Sequence, residues 1–248
     1  MEIDMRYFTK EWYHDTILAE MCFQLKKTSR ASKYSESFFQ YLYKSQKKWF
    51  INNQKHIAKF NKVSFDLAVA EAEYEANYTE NLDFVKSNIP EEILCKVADV
   101  RVLAMGSADG EIVDEITRFC GRINRNCEKV VEAYDAEVEK LAESIGWYKI
   151  NCLNMLANAP IKSAETDADG NFTIETSPEY TEIACKVTLS SPEISEIDER
   201  LVGAQILHFE ILPAQDSGKI ELNLLCKTND DKSVTFSAIA SDLECEEI

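Results

Sequence analysis

Glycine, proline and histidine are scarce in this chain, and each scarcity excludes something. With 7 Gly and 5 Pro in 248 residues, against a usual combined share of about 12%, there is little material for tight turns. Long regular elements with few short loops are therefore expected. The three histidines, His14, His56 and His208, stand far apart, so the sequence holds no H-E-x-x-H helix. The glycine motifs that cradle phosphates, GxGxxG and GxxxxGK[ST], are absent, as is the GxSxG nucleophile elbow. No stretch approaches about 18 uninterrupted apolar residues, so no membrane span is expected. The opening Met1-Glu2-Ile3-Asp4-Met5-Arg6 has neither the basic nor the apolar region of a signal peptide.

Cysteine is present but unpatterned. Cys22, Cys95, Cys120, Cys127, Cys152, Cys185, Cys226 and Cys245 form no CxxC pair and flank no histidine at zinc-finger distance. Eight free thiols in a reducing cytoplasm are the expected state, with Cys acting as a small core hydrophobe. No metal and no cofactor is implied.

Charge is abundant and uneven. The formal net charge is −17. Residues 1–62 hold 12 Lys+Arg against 6 Asp+Glu, residues 63–150 hold 9 against 19, and residues 151–248 hold 6 against 19. Such an acidic whole argues against anionic membrane surfaces and against general nucleic-acid binding.

The pattern of apolar residues splits the chain in two. The first part reads as about five helices. One runs from about residue 10 to 27 on the stripe Tyr13, Ile17, Leu18, Met21, Cys22 and Leu25. A second opens at Ser35 and buries Phe38, Phe39, Leu42, Tyr43, Gln46, Trp49 and Phe50. A third is capped by Ser64 and faces inward with Phe65, Ala68, Val69, Ala72, Ala76 and Thr79. Ile89-Pro90-Glu91-Glu92 starts a fourth that continues to Met105. A fifth starts near Ser107–Asp109 and reaches Gly146, with a kink expected at Gly121.

After Gly146, β-branched alternation and turn pairs take over. Strands are expected at Ile150–Leu156, Asn171–Thr176, Ile183–Ser190, Ala204–Leu212, Lys219–Cys226 and Ser233–Ala238, with turns at Asp169-Gly170, Ser217-Gly218 and Asn229–Asp231. Two stretches resemble each other at a spacing of 47 to 48 residues: Asp169–Ile174 with Ser217–Leu222, and Val187–Ser190 with Val234–Ser237. The fold class is α+β: a helical domain over 1–146, then an antiparallel β domain of seven or eight strands over 147–248, built from two similar units.

Several segments carry a resemblance. Tyr7-Phe8-Thr9-Lys10-Glu11-Trp12-Tyr13, Ser35–Phe39 with Leu42-Tyr43, Ile89–Leu94, Val97–Gly106 and Asp198–Gly203 are similar to the uncharacterised bacterial family called domain-of-unknown-function 4085. The likeness covers most of the chain and is most specific in the Tyr7 and Ile89 segments. It implies a fold and no activity. Members often carry a His-Asp pair at the start of the β half, where Ala157-Asn158 stand here.

Candidate site residues are few. His14-Asp15, with Glu11 one turn back, is the only tight His/carboxylate group. Asp99 and Arg101 sit in an otherwise apolar run and need partners. Two residues apart on one helix, they point about 200° apart and are not expected to pair with each other. Lys10 and Glu11, beside Trp12, are the expected partners. Together Lys10, Glu11, Trp12, His14, Asp99 and Arg101 form the weak ligand-binding candidate set, and no residue is singled out as catalytic. Asp167–Asn171 is read as a hairpin turn, because its Gly falls too early for a calcium loop. Between Lys26 and Lys62 ten bases and one acid, Glu36, alternate with aromatics. That is a footprint of nucleic-acid binding, weakened if Tyr43 and Trp49 are buried. The leading expectation is a non-enzymatic interaction module whose acidic β half engages a basic partner protein. The alternatives are an enzyme or small-ligand binder using a polar site between helices, and third, a nucleic-acid binder through 26–62.

Overall fold

The computed structural model describes residues 5–21, 25–178, 183–215 and 218–248. Cys22 and Ser217, named above in a helix stripe and a turn, lie outside them, as do residues 1–4 of the signal-peptide reading. The protein is α+β. Its helices are α1 (Lys10–Glu20), α2 (Glu36–Phe60), α3 (Leu67–Asn88), α4 (Glu91–Leu94), α5 (Val100–Ala104), α6 (Gly110–Ile145) and α7 (Trp147–Cys152). Two short strands, β1 (Lys26–Lys27) and β2 (Ser107–Ala108), precede the eight of the second half: β3 (Ile161–Thr166), β4 (Phe172–Thr176), β5 (Cys185–Ser190), β6 (Glu193–Ile197), β7 (Gln205–Pro213), β8 (Ile220–Lys227), β9 (Ser233–Ala240) and β10 (Asp242–Glu247). No helix among the described residues is long and apolar enough to cross a membrane.

Helix gives way to strand after Leu156, ten residues later than the sequence pattern suggests, and compactness follows other lines. One compact unit comprises Met1–Asp15 with Arg125–Ile248, and the other comprises Thr16–Asn124. Charge divides along the same lines. Thr16–Asn124 holds 15 Lys+Arg and 15 Asp+Glu, whereas the other unit holds 12 against 29 and so carries the whole net charge of −17.

The strand-rich unit is a sandwich of two four-stranded antiparallel sheets, ordered β10-β5-β4-β3 and β6-β9-β8-β7. The two similar stretches of sequence are the central hairpins, β4–β5 in one sheet and β8–β9 in the other. Each hairpin is extended by the strand before it, β3 or β7. The strand after it crosses over: β6 pairs with β9 and β10 pairs with β5, so each repeat supplies the edge of the other repeat's sheet. Between the sheets, Phe172 and Phe236 stack at 5.3 Å, within a core that includes Val187, Leu189, Leu222, Leu224 and Leu243. Turns follow the expected chemistry. The Asp167 carboxylate accepts from the Asp169 and Asn171 backbone N–H groups, both at 2.9 Å, and Gly170 takes φ +84°.

β8 and β9 are buried on both faces, unlike the alternating β5. The second face packs Leu225 with Met5, Phe8, Trp12, Val131 and Tyr134. That face also holds a polar row, with Glu210, Asn223, Ser237 and Glu196 in register across the four strands. Glu210 is fully buried. Its carboxylate accepts three consecutive backbone N–H groups, from Arg6, Tyr7 and Phe8 at 3.1, 2.6 and 2.7 Å, and the Asn223 amide at 3.4 Å. A buried carboxylate this well supplied is the anchor of the N-terminal segment.

The helical unit departs from expectation in several places. α1 stops at Glu20. Lys26–Lys27 run as a parallel strand against Ser107–Ala108, with Lys26 N–H to Gly106 O at 2.8 Å and Thr28 N–H to Ala108 O at 2.9 Å. The expected fourth helix is two short ones, because the Asp99 backbone is extended and restarts the chain as the N-cap of α5. Asp66, not Ser64, caps α3 by accepting from Ala68 and Val69 N–H. Its inward stripe is Ala70, Tyr74, Tyr78 and Val85, while Leu67 and Val69 are exposed. Ser35 caps α2 as expected, and α6 runs without a break through Gly121. Ile150–Leu156, read as a strand, is helical: Ile150, Leu153 and Leu156 recur every third residue and are buried together.

Candidate functional site

The six candidate residues fall in both units. Lys10, Glu11, Trp12 and His14 stand on the first turns of α1, in the strand-rich unit, and Asp99 and Arg101 in the helical unit. Trp12 is a packing residue. Its ring lies 4.7 Å from Phe8 and 4.9 Å from His208, and its indole N–H donates to Cys127 O at 3.3 Å. His208, ringed by Phe8, Trp12 and Tyr13, has its pKa lowered by burial. Glu11 and His14 are exposed.

Asp99 and Arg101 do pair, against the helix-angle argument. Asp99 stands before α5 and not within it, so its extended backbone turns the carboxylate back over the first turn. There it accepts Arg101 N–H at 3.0 Å and the guanidinium at 3.0 and 2.8 Å. Arg101 also donates to Glu36 at 2.9 Å and Tyr34 at 3.1 Å and lies 4.1 Å over the Phe39 ring. These bonds, led by Asp99, push the Arg101 pKa up. Arg101 thus fixes the start of α2 to α5. The cleft beside Asp99, about 400 Å³, is lined by Lys96, Asp109, Glu111 and Glu115, with the Lys96 ammonium held by Glu115 at 2.9 and 2.8 Å. No metal-holding group of His, Cys, Asp and Glu occurs among the described residues.

The surface with unspent chemistry is α2. Tyr41, Lys44, Lys48, Lys55 and Lys59 recur at helical spacing and form one exposed face. Among the described residues, these four lysines make no ion pair, whereas Lys47, on the inner side, is held by Glu75 at 3.1 Å. Trp49 is 69% exposed and Phe60 85%, on one flank about three turns apart. This overturns the expectation that Trp49 is buried. The inward positions of α2 are taken by Phe39, Tyr43 and Phe50, which meet Tyr74 and Tyr78 of α3 at 5.3 to 6.2 Å between ring centroids. Around the α2–α3 turn Ile57, Val63, Leu67 and Val69 are exposed as well. Burying these residues would be favourable, by about 25 cal/mol per Å² of apolar surface.

A groove opens along this helix. Trp49, Phe50 and Tyr74 form its apolar walls, Ser45, Gln46 and Lys26 its polar ones, and its volume is about 490 Å³. Lys26 and Gln46 also line a continuation of about 260 Å³ with Asn81 and Gly106. Gln46 is oriented by donating to Met105 O at 2.8 Å. Burial pushes the Tyr74 hydroxyl up to about 12, and burial with the Glu75 contact raises Tyr43 further, so both stay protonated donors at neutral pH. The basic run signalled this region in the sequence. The groove itself had no signal, because Lys26 reaches it through an unforeseen strand and Tyr74 through a stripe displaced by two positions. No family model, curated protein or solved structure matches the chain.

Proposed function

We propose that this protein is a non-enzymatic interaction module that takes a protein partner along the outer face and groove of α2. The supporting observation is Trp49: a large aromatic that is mostly exposed, walls a groove of about 490 Å³ and stands beside lysines that make no ion pair among the described residues. Exposed aromatics at the edge of a pocket are the usual anchors of interfaces. The lysine face selects an acidic partner segment, and the groove selects one large apolar or aromatic anchor within it. Kinship with the domain-of-unknown-function 4085 family belongs to the same proposal and adds no activity.

The acidic strand-rich unit supports a second reading, a basic partner bound there, because the net charge of −17 is confined to it. Peptide display against the whole protein separates the two. Enrichment of Asp/Glu-rich peptides with a Trp, Phe or Leu anchor, lost on Trp49→Ala and on Lys48→Glu, is the expected result. Enrichment of Lys/Arg-rich peptides that still bind both variants would transfer the function to the acidic unit. Retention of single-stranded nucleic acid at physiological salt, lost on replacing Lys44 and Lys48, would favour the third reading.

A further inference from the structure

Two helices of this chain carry opposite charges on exposed faces, at matching intervals. On α2, Lys44, Lys48, Lys55 and Lys59 are exposed and fall within about 60° of the helix circumference. On the C-terminal half of α6, Glu132, Asp135, Glu139 and Glu143 are exposed and fall within about 80°. Among the described residues none of these charges makes an ion pair, while their neighbours are taken: Lys47 by Glu75 at 3.1 Å and Lys140 by Glu137 at 2.7 Å. Neither row can turn inward. Val138, Leu141 and Ala142 commit the other side of α6 to the sandwich core, and Phe39 and Tyr43 commit the inner side of α2 to Tyr78.

We infer, on the reading of α2 as the binding face, that its lysine row docks on the acidic row of α6 in a second copy of this chain. The spacing carries this. Glu132, Glu139 and Glu143 are seven and four positions apart, as are Lys48, Lys55 and Lys59. Read backwards, the same acids match Lys55, Lys48 and Lys44 in reverse order. Three pairs can therefore form together whichever way the helices run, over a length of about 16 Å. The ends supply apolar contact as well. Trp147 and Tyr148, both exposed, follow the acidic row, and the exposed Tyr41 and Phe60 flank the two ends of the lysine row. Either direction sets ring near ring.

The electrostatics favour a local contact over a general one. Two chains of −17 repel at long range, but at physiological ionic strength that repulsion is screened beyond about 8 Å, whereas pairs in contact are not. Exposed pairs are individually weak, so several must act together and the contact must yield to salt. Used twice between two copies it closes a dimer, with α2 of each on α6 of the other; used once per neighbour it builds a chain.

The test is sedimentation velocity of the full chain across a wide range of concentration at about 0.15 M salt, repeated at about 1 M. The mass should rise above that of the monomer with concentration at the lower salt and fall back at the higher. Two double variants isolate the faces: Lys44→Glu with Lys48→Glu, and Glu139→Lys with Glu143→Lys. Each alone should associate at least about tenfold more weakly, and an equimolar mixture should associate again, because each reversed face then meets its opposite on the other variant. All four positions are exposed, so thermal melts should be unchanged. If a double variant does not fold, Lys48→Gln and Glu139→Gln should each weaken association by about two- to fivefold. A monomer at every concentration, association that neither reversal weakens, or reversed variants that stay apart when mixed would overturn the inference. A monomer that still takes acidic display peptides through Lys48 would end it while leaving α2 as the binding face; a monomer that takes none would end both.

Discussion

The two compact units solve the same problem of burial in opposite ways. The strand-rich unit covers both faces of one sheet and gives its buried Glu210 a full set of donors. It carries the whole net charge of −17. The helical unit balances its charge, 15 against 15. Yet it separates the signs within itself, with ten bases and one acid between Lys26 and Lys62, and leaves Trp49, Phe60, Val63 and Leu67 in water. A neutral total thus conceals a polarised, adhesive surface, while the exposed apolar residues of the acidic unit, such as Trp147, Tyr148 and Ile197, lie beside no comparable run of bases. Net charge speaks for solubility and steering; exposed apolar area beside unpaired charge speaks for a binding site.

Four changes would break or sharpen that contrast. The largest concerns Glu210. Glu210→Ala leaves three backbone N–H groups without their acceptor, while the Asn223 amide keeps Glu221 at 3.1 Å, and should cost about 3–5 kcal/mol. Urea melts followed by tryptophan fluorescence check it: Trp12 and Trp147 report on the strand-rich unit and Trp49 on the helical one. The first signal should shift and the second should not. Glu210→Gln, which keeps one acceptor oxygen, should recover part of the loss.

Next is Asp99→Ala, which removes the α5 cap and the main partner of Arg101 at once. Loss of about 1–3 kcal/mol is expected, in the Trp49 signal only. Asp99→Asn keeps the cap acceptor and should cost less. An equal loss in both variants would show that the ion pair, not the cap, holds the helix start.

Acidity should separate the units as well. His208 binds its proton less readily folded than unfolded, because burial lowers its pKa. Its contribution is complete above the unfolded value of about 6.5 and is lost as pH falls below it. In the helical unit Glu36, held down first by Gln40, and Glu75, held down first by Tyr43, keep their contribution until pH falls below about 4.5. Between pH 7 and 5 the strand-rich unit should therefore lose stability first, and His208→Gln should flatten that slope.

The smallest effect on stability belongs to the proposed binding face. Trp49→Ala and Phe60→Ser should move the melt by no more than about 0.5 kcal/mol, since both side chains are mostly exposed, while abolishing partner binding. A melt lowered as far as that of Asp99→Ala would make Trp49 a core residue and remove the carrying observation.

Much of the frame was legible in sequence and most of the chemistry was not. Long-period stripes placed α2 and α6, and the Asn229–Asp231 turn placed the β8–β9 hairpin, because those signals are local. Ile150–Leu156 misled because a short apolar run reads equally as strand or helix. Asp99 misled because a cap residue is outside the helix that its neighbours suggest. The Glu210 anchor joins a strand residue to backbone groups about two hundred positions earlier in sequence, and no local signal announces such a contact. Trp49 looked internal because its spacing matches the stripe; Tyr74 and Tyr78 had already filled the space.

The exchange of fourth strands between the two repeats has a consequence for how this unit is made. Neither repeat is a self-sufficient building block: β6 closes a sheet whose other members have not yet been synthesised, and β5 waits for β10, which follows the whole second hairpin. The sandwich must therefore assemble after translation of both repeats, from distant pairings that form slowly. During that interval β5 exposes a bare edge lined with Cys185, Val187 and Leu189. Pairing with β10 covers it, so the final strand also works as a shield against pairing with other chains.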